Sequence, residues 1–186
     1  SGMPLYAKET GDKANSFRYE NGQSIAKAVP FSTLSPNAWK KIDGKYYSGD
    51  GSVIEGAVAK GIDVSHHQGT VDWKKAKEDG VEFAIIRCGF GMNQTKQDDA
   101  QWFNNVKGCE ENNIPYGVYL YSYADTVKKA QSEAEHVLRL IKGHTLAYPV
   151  YYDIEEKAVL NKLTAEQLGK IAATFVNKVK AEGYQT

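Results

Sequence analysis

Tyr148-Pro149-Val150-Tyr151-Tyr152-Asp153-Ile154-Glu155-Glu156 is the stretch on which the reading of the chain turns. Pro149 can open a strand but not sit inside a central one. Val150, Tyr151, Tyr152 and Ile154 favour extended backbone. Side chains two apart on a strand share a face, so Asp153 and Glu155 project together with Cα atoms about 6.5–7 Å apart. Glu156 points the other way and is not expected to be catalytic. Neighbouring carboxylates raise each other's pKa and can keep one protonated near neutral pH, which a general acid requires. On these residues alone, a solvated strand end reads equally well.

Working outward, the texture from residue 61 is strand, helix, strand, helix. Strands are expected over 62–65, 81–88, 114–123 and from Tyr148, with Gly89-Phe90-Gly91 as a loop. Helices are expected over 71–79, 98–112 and 126–141. A last helix runs from a Thr164 cap to about residue 182, with Gly183 closing it. Apolar strands alternating with helices indicate an α/β fold with a parallel sheet and helices outside. Right-handed crossovers place every strand's C-terminal end on one side. Polar residues fall there: Asp63, Ser65 and His66, then Arg87, then Tyr121 and Tyr123, then Asp153 and Glu155. That is the layout of a barrel-type active site. Four strands cannot close a barrel, and a further strand is expected after Gly183, so the sequence reads as a truncated one.

Residues 1–60 read differently, as a polar N-terminal extension. A turn or two of helix is expected around 35–39. Trp39-Lys40-Lys41-Ile42-Asp43-Gly44-Lys45-Tyr46-Tyr47 reads as two short strands around an Asp-Gly turn. It is similar to one unit of the aromatic hairpin repeats that anchor bacterial enzymes to cell walls. Such repeats need neighbours to bury their faces, and one copy is present. An extension packed on the main domain is therefore the expectation.

Lys plus Arg and Asp plus Glu each total 23, for a formal net charge of zero. Nothing in that balance points to nucleic acid or an anionic membrane as partner. Twelve tyrosines against six phenylalanines suit amphipathic ligands such as sugars, and equally suit half-buried strand ends. Cys88 and Cys109 lack zinc-type spacing and are expected to be free, buried thiols. His66-His67 does not suggest a metal, since adjacent side chains on extended backbone point to opposite faces; His66 is expected to hydrogen-bond at a cleft rim. Arg87 either holds a carboxylate ionised or closes its strand. His136 and His144 are expected at the surface. No apolar run is long enough for a membrane-spanning helix. Ser1-Gly2 reads as a cloning remnant, so a targeting segment is expected to have been removed.

Gly61-Ile62-Asp63-Val64-Ser65-His66-His67-Gln68-Gly69, with Val71-Asp72-Trp73 behind it, resembles the opening of family 25 glycoside hydrolases, the Chalaropsis-type lysozymes. Phe83-Ala84-Ile85-Ile86-Arg87, then Asp99…Trp102…Asn105, then Tyr116-Gly117-Val118-Tyr119…Tyr121-Ser122-Tyr123-Ala124, then Tyr151-Tyr152-Asp153-Ile154-Glu155 follow in the family's order. The resemblance covers residues 61–186 and implies the N-terminal portion of the catalytic domain, an irregular TIM-like (β/α) barrel that is incomplete here. It implies cleavage of the β-1,4 bond between N-acetylmuramic acid and N-acetylglucosamine in peptidoglycan, with no cofactor and no metal. It makes Glu155 the general acid. Asp153 assists the substrate's 2-acetamido group, a departure from the two-carboxylate rule. Asp63, at the site floor, is the third catalytic residue it implies; Tyr121, Tyr123, Arg87, His66 and Tyr151 contact sugar. It further implies a secreted or wall-associated monomer whose partner is the peptidoglycan glycan strand. The family's later site aspartate and aromatic-Gln segment have no counterpart here, so weak or no lysis and an exposed, adhesive sheet edge are expected of a chain stopping at Thr186. The rival reading is a non-catalytic peptidoglycan-binding module; a chitinase-like hydrolase fits poorly, since Val150 and Tyr151 stand where its upstream acids would be.

Overall fold

The structure, a computed structural model, describes residues 19–20, 23–24, 39–48 and 51–186. A two-residue antiparallel pair joins β1 (Tyr19–Glu20) to β2 (Gln23–Ser24). The expected hairpin follows as β3 (Lys40–Ile42) and β4 (Lys45–Tyr47). Asp43 and Gly44 both have positive φ, at 49° and 77°, the geometry that lets a two-residue turn match strand twist. The helical turn expected around 35–39 lies, but for Trp39, outside the described residues.

The hairpin packs on the main body through one carboxylate. Tyr46 is buried, and its hydroxyl donates to Val58 O (3.1 Å) and to Glu82 Oε2. Lys41 Nζ lies 2.8 Å from Glu82 Oε1, and the Lys60 amide donates to Oε2 at 2.9 Å. Hydrogen bonds from Lys41 and then Tyr46 hold Glu82 down to about 2.

The main body runs β5 (Gly61–Val64), α1 (Trp73–Glu78), β6 (Phe83–Phe90), α2 (Trp102–Glu111), β7 (Tyr116–Tyr121), α3 (Val127–Ile141), β8 (Val150–Asp153), α4 (Lys157–Leu160) and α5 (Ala165–Ala181). The four strands pair in parallel in sequence order, β5-β6-β7-β8. Among the described residues the sheet is open rather than a closed barrel. Beside β8, the Val150 amide donates to Gln185 O at 2.9 Å.

Local chemistry explains the helix starts. Asp72 caps α1 by accepting from the Lys75 amide, and Thr126 caps α3 by accepting from that of Lys129. Thr164 and Gln167 form a reciprocal capping box on α5. Helix α2 begins later than its pattern suggests, because Asp98 and Asp99 are engaged elsewhere.

One face of the sheet carries the core. Ala84, Ile86, Cys88, Val118, Leu120 and Val150 are fully buried against Trp102, Val106 and Cys109 of α2, Val137 and Ile141 of α3, and Phe175 and Val179 of α5. Each buried aliphatic side chain contributes about 1.5–3 kcal/mol. Tyr152 stacks flat on Phe175, with ring centroids 3.8 Å apart. Cys88 and Cys109 are free and buried, as expected.

Two expectations are corrected. Strand β6 continues through Gly89 and Phe90 instead of ending in a loop, with a register shift between Arg87 and Gly89. A Cβ on Gly89 would come within 2.7 Å of Gln97 O and 2.8 Å of the His136 ring, so no larger residue fits there. That same packing overturns the surface assignment of His136, which is fully buried between Gly91 O and Asp98. His144 is partly exposed and hydrogen-bonded to Glu110.

Candidate active site

Sheet register builds the site. Asp63 on β5 lies opposite Ile85; Arg87 on β6 lies opposite Tyr119, which lies opposite Tyr151; Phe90 lies opposite Tyr121, which lies opposite Asp153. These side chains line the face that the helices do not cover. With Glu155, Tyr123, His66 and His67 they bound a cleft of about 810 Å³. All eight residues expected from the sequence to form a site, namely Asp63, His66, Arg87, Tyr121, Tyr123, Tyr151, Asp153 and Glu155, therefore line one cavity.

The acidic part of the cleft is Asp153, Glu155 and Asp63. Burial, followed by the charge and hydrogen bond of Glu155 and the charge of Asp63, pushes Asp153 up to about 7, against partial relief from Arg87. Asp63 is open to the cleft mouth, yet desolvation by its surroundings raises its pKa. Asp153 can thus hold a proton close to neutral pH.

The basic part is organised by Asp99. Arg87 Nε donates to Asp99 Oδ2 at 2.7 Å, and both side chains are buried. The Gln101 amide donates to Oδ1 (2.8 Å) and the His66 amide to Oδ2 (3.1 Å). Burial opposes ionisation of Asp99, but the His66 hydrogen bonds and the Arg87 charge hold its carboxyl below the usual range. Arg87 NH2 also contacts His66 Nδ1. Of the two readings for Arg87, the structure shows the carboxylate pair.

His66 and His67 correct the geometry expected of them. They sit in a 3-10 turn, His66–Gln68, rather than on extended backbone, so their rings lie 3.9 Å apart and both reach the cleft. Burial, then His66 and Arg87, pull His67 down to about 4. Among the described residues no group of three His, Cys, Asp or Glu side chains is arranged to hold a metal ion.

Aromatic side chains form the remaining lining. Tyr121 and Tyr123 have ring centroids 5.2 Å apart, and Tyr123 meets Phe90 edge-on at 6.3 Å. Tyr151 and Tyr123 are exposed at 44% and 39%, which leaves their faces open to a ligand. Burial and then Glu156 and Glu155 raise the pKa of Tyr121, keeping its hydroxyl a donor. That hydroxyl donates to Glu156 Oε2 at 3.2 Å, while Glu156 Oε1 accepts from the Ala158 amide at the start of α4. Glu156 is buried, off the cleft surface.

The sequence profile of glycosyl hydrolases family 25 matches residues 62–186. The chain belongs to this family. The autolytic lysozyme of Clostridium acetobutylicum is 33% identical over 96 residues, which are 52% of this chain and 28% of that protein. The modular autolysin LytC from Streptococcus pneumoniae, solved in complex with a synthetic peptidoglycan ligand, is 32% identical and superposes with a TM-score of 0.65 over 80% of this chain and 36% of its own. A bacterial lysozyme from Streptomyces coelicolor shares the fold at 23% identity, with a TM-score of 0.58 over 68% of this chain and 59% of its own. The chain thus spans about a third of the length of the first two relatives.

Three buried residues behind the cleft were not singled out by the sequence. Asp99 was visible in the motif order but its grip on Arg87 and His66 was not. Glu133 and His136 lie on α3 among its apolar positions, where a carboxylate and an imidazole read as the solvent side. The available signal was the spacing: 133, 136 and 139 follow the i, i+3 rule and place three polar groups on one stripe.

Proposed function

We propose that this chain carries the acid-bearing wall of a peptidoglycan hydrolase, a glycosidase of the lysozyme (N-acetylmuramidase) type. The observation that supports it most directly is the Asp153–Glu155 pair at the end of β8, facing an aromatic-lined cleft in a family 25 chain. Residues 61–186 supply the N-terminal portion of the catalytic domain, and residues 1–60 an extension. The substrate is the glycan strand of peptidoglycan, met outside the cytoplasm or at the wall, and the bond is the β-1,4 link from N-acetylmuramic acid to N-acetylglucosamine.

Glu155 is the general acid in this reading, giving its proton to the leaving oxygen. Before substrate binds, Asp153, raised by burial and by Glu155, holds the proton shared by the pair. A substrate acetamido N–H presented to Asp153 favours its ionised form, because a hydrogen bond to a carboxylate stabilises the charge. The proton then passes to Glu155, and the Asp153 carboxylate orients the acetamido oxygen for attack on the anomeric carbon. Arg87, held by Asp99, favours the ionised form of Asp153 against the effect of burial. Tyr121, Tyr123 and Tyr151 offer faces and hydroxyls to sugar rings.

The experiment is hydrolysis of purified cell walls by the parent chain and by Glu155→Gln, followed by borohydride reduction of the products. Reduced muramic acid at new ends, formed by the parent and lost in Glu155→Gln, is expected. Reduced glucosamine would reassign the bond, and undiminished lysis by Glu155→Gln would remove Glu155 from its role.

A further inference from the structure

Helix α3 carries more polar groups on its buried side than an amphipathic helix needs. Glu133 is fully buried. It accepts from Ser122 Oγ at 2.7 Å, Tyr152 Oη at 2.5 Å and the Tyr123 amide at 2.8 Å. One turn on, His136 bonds Gly91 O (2.9 Å) and Asp98 Oδ1 (2.7 Å). Arg139 then grips Asp98 with both terminal nitrogens and Asn93 through Nε. The stripe therefore fastens the chain just beyond β6, beyond β7 and along β8, all at the cleft end of the sheet. Asp98 and Asp99 face opposite ways: Asp98 binds α3, Asp99 binds Arg87 and His66.

A buried carboxylate is a costly way to fill space, and an apolar side chain of similar volume commonly serves stability as well or better. What Glu133 adds is direction. Three donors, two from just beyond β7 and one from β8, converge on one carboxylate, and Ser122 Oγ also meets Tyr152 Oη at 3.0 Å. The Ser122 amide donates to Asp153 O at 2.9 Å, so the same knot includes the backbone of the acidic residue. Tyr152, immediately before Asp153, is thus fixed by its Phe175 stack on the ring and by Glu133 at the hydroxyl.

We propose that Glu133 is a positioning residue: its hydrogen bonds lock the ends of β7 and β8 together and so set Asp153 and Glu155, with Tyr123, in their places on the cleft. The consequence for turnover rests on the hydrolase reading; the consequence for geometry does not.

The test is a carboxyl-carbon NMR titration of Asp153 in the parent, Glu133→Gln, Tyr152→Phe and the double variant, with thermal unfolding of each. Glu155, Asp63, Arg87 and Tyr119, the charged and titratable neighbours of Asp153, stay unchanged throughout. If the knot sets the pair, each single change loosens it and the Asp153 midpoint falls by about one pH unit toward its ordinary value, the double variant falling no further than the larger single effect. Midpoints that stay at the parent value in folded single variants overturn the proposal. Should Glu133→Gln fail to fold, Tyr152→Phe, which keeps the ring stack, decides alone. On cell-wall glycan, kcat is expected to fall about tenfold in Glu133→Gln with KM within about twofold. If lysis survives Glu155→Gln, the hydrolase reading fails while the titration still judges the positioning role.

Discussion

The two faces of the four-stranded sheet are built by alternate residues of the same strands and meet opposite demands. Toward the helices, Ala84, Ile86, Val118, Leu120 and Val150 exclude water completely. Toward the cleft, Asp63, Arg87, Tyr119, Tyr121, Tyr151 and Asp153 stand one residue away along the chain. The first face gains free energy by burial. The second holds like charges close, which costs free energy and is tolerable because the first compensates. In this fold, stability and chemistry are separated by one step of strand alternation.

Variants on the two faces should therefore fail differently. Glu155→Gln should lower wall hydrolysis by about 10²–10⁴-fold with no loss of melting temperature, since it relieves the repulsion with Asp153, measured by turbidity loss and calorimetry. Asp99→Ala crosses the division, because it strands the buried Arg87 guanidinium beneath the cleft. It should cost about 3–5 kcal/mol in urea unfolding as well as activity, and full stability would show that Arg87 finds another partner. Leu120→Ala, on the helix face, should cost about 3 kcal/mol while hydrolysis per folded molecule stays at the parent value.

The smallest expected effect is one of pH. Asp153 has a folded pKa raised from 3.8 to about 7. Between those values the folded chain binds a proton that the unfolded chain has released. Its contribution to stability is thus present below the unfolded value and lost as pH rises through the folded one. With screening by the open cleft, the loss is about 1–2 kcal/mol. Urea unfolding at pH 4 and pH 8 should show Asp153→Asn gaining on the parent by that amount at the higher pH. Equal losses in both proteins would place the titration elsewhere.

Much of this was legible in the chain. The strand–helix alternation, the Thr164 cap and the Asp-Gly turn are local signals, and local backbone preferences met no tertiary opposition there. That these residues would line one cleft was legible because parallel connections bring strand ends to one side whatever the loops do. His66 and His67 were misjudged because a Ser65-capped turn, not extended backbone, carries them. His136 was misjudged because an imidazole reads as polar until its acceptors, Gly91 O and Asp98, are brought from 45 and 38 residues away.

By itself the sequence determined the order and type of the elements, the parallel sheet and the face on which Asp153 projects, since these follow from periodicity, capping and strand alternation. Tertiary structure alone decided that burial and neighbouring carboxylates push Asp153 up, that Asp99 holds Arg87, and that Glu133 ties β7 to β8. Those outcomes depend on desolvation and on distances between groups far apart in the chain, and neither quantity exists until the sheet and helices have packed.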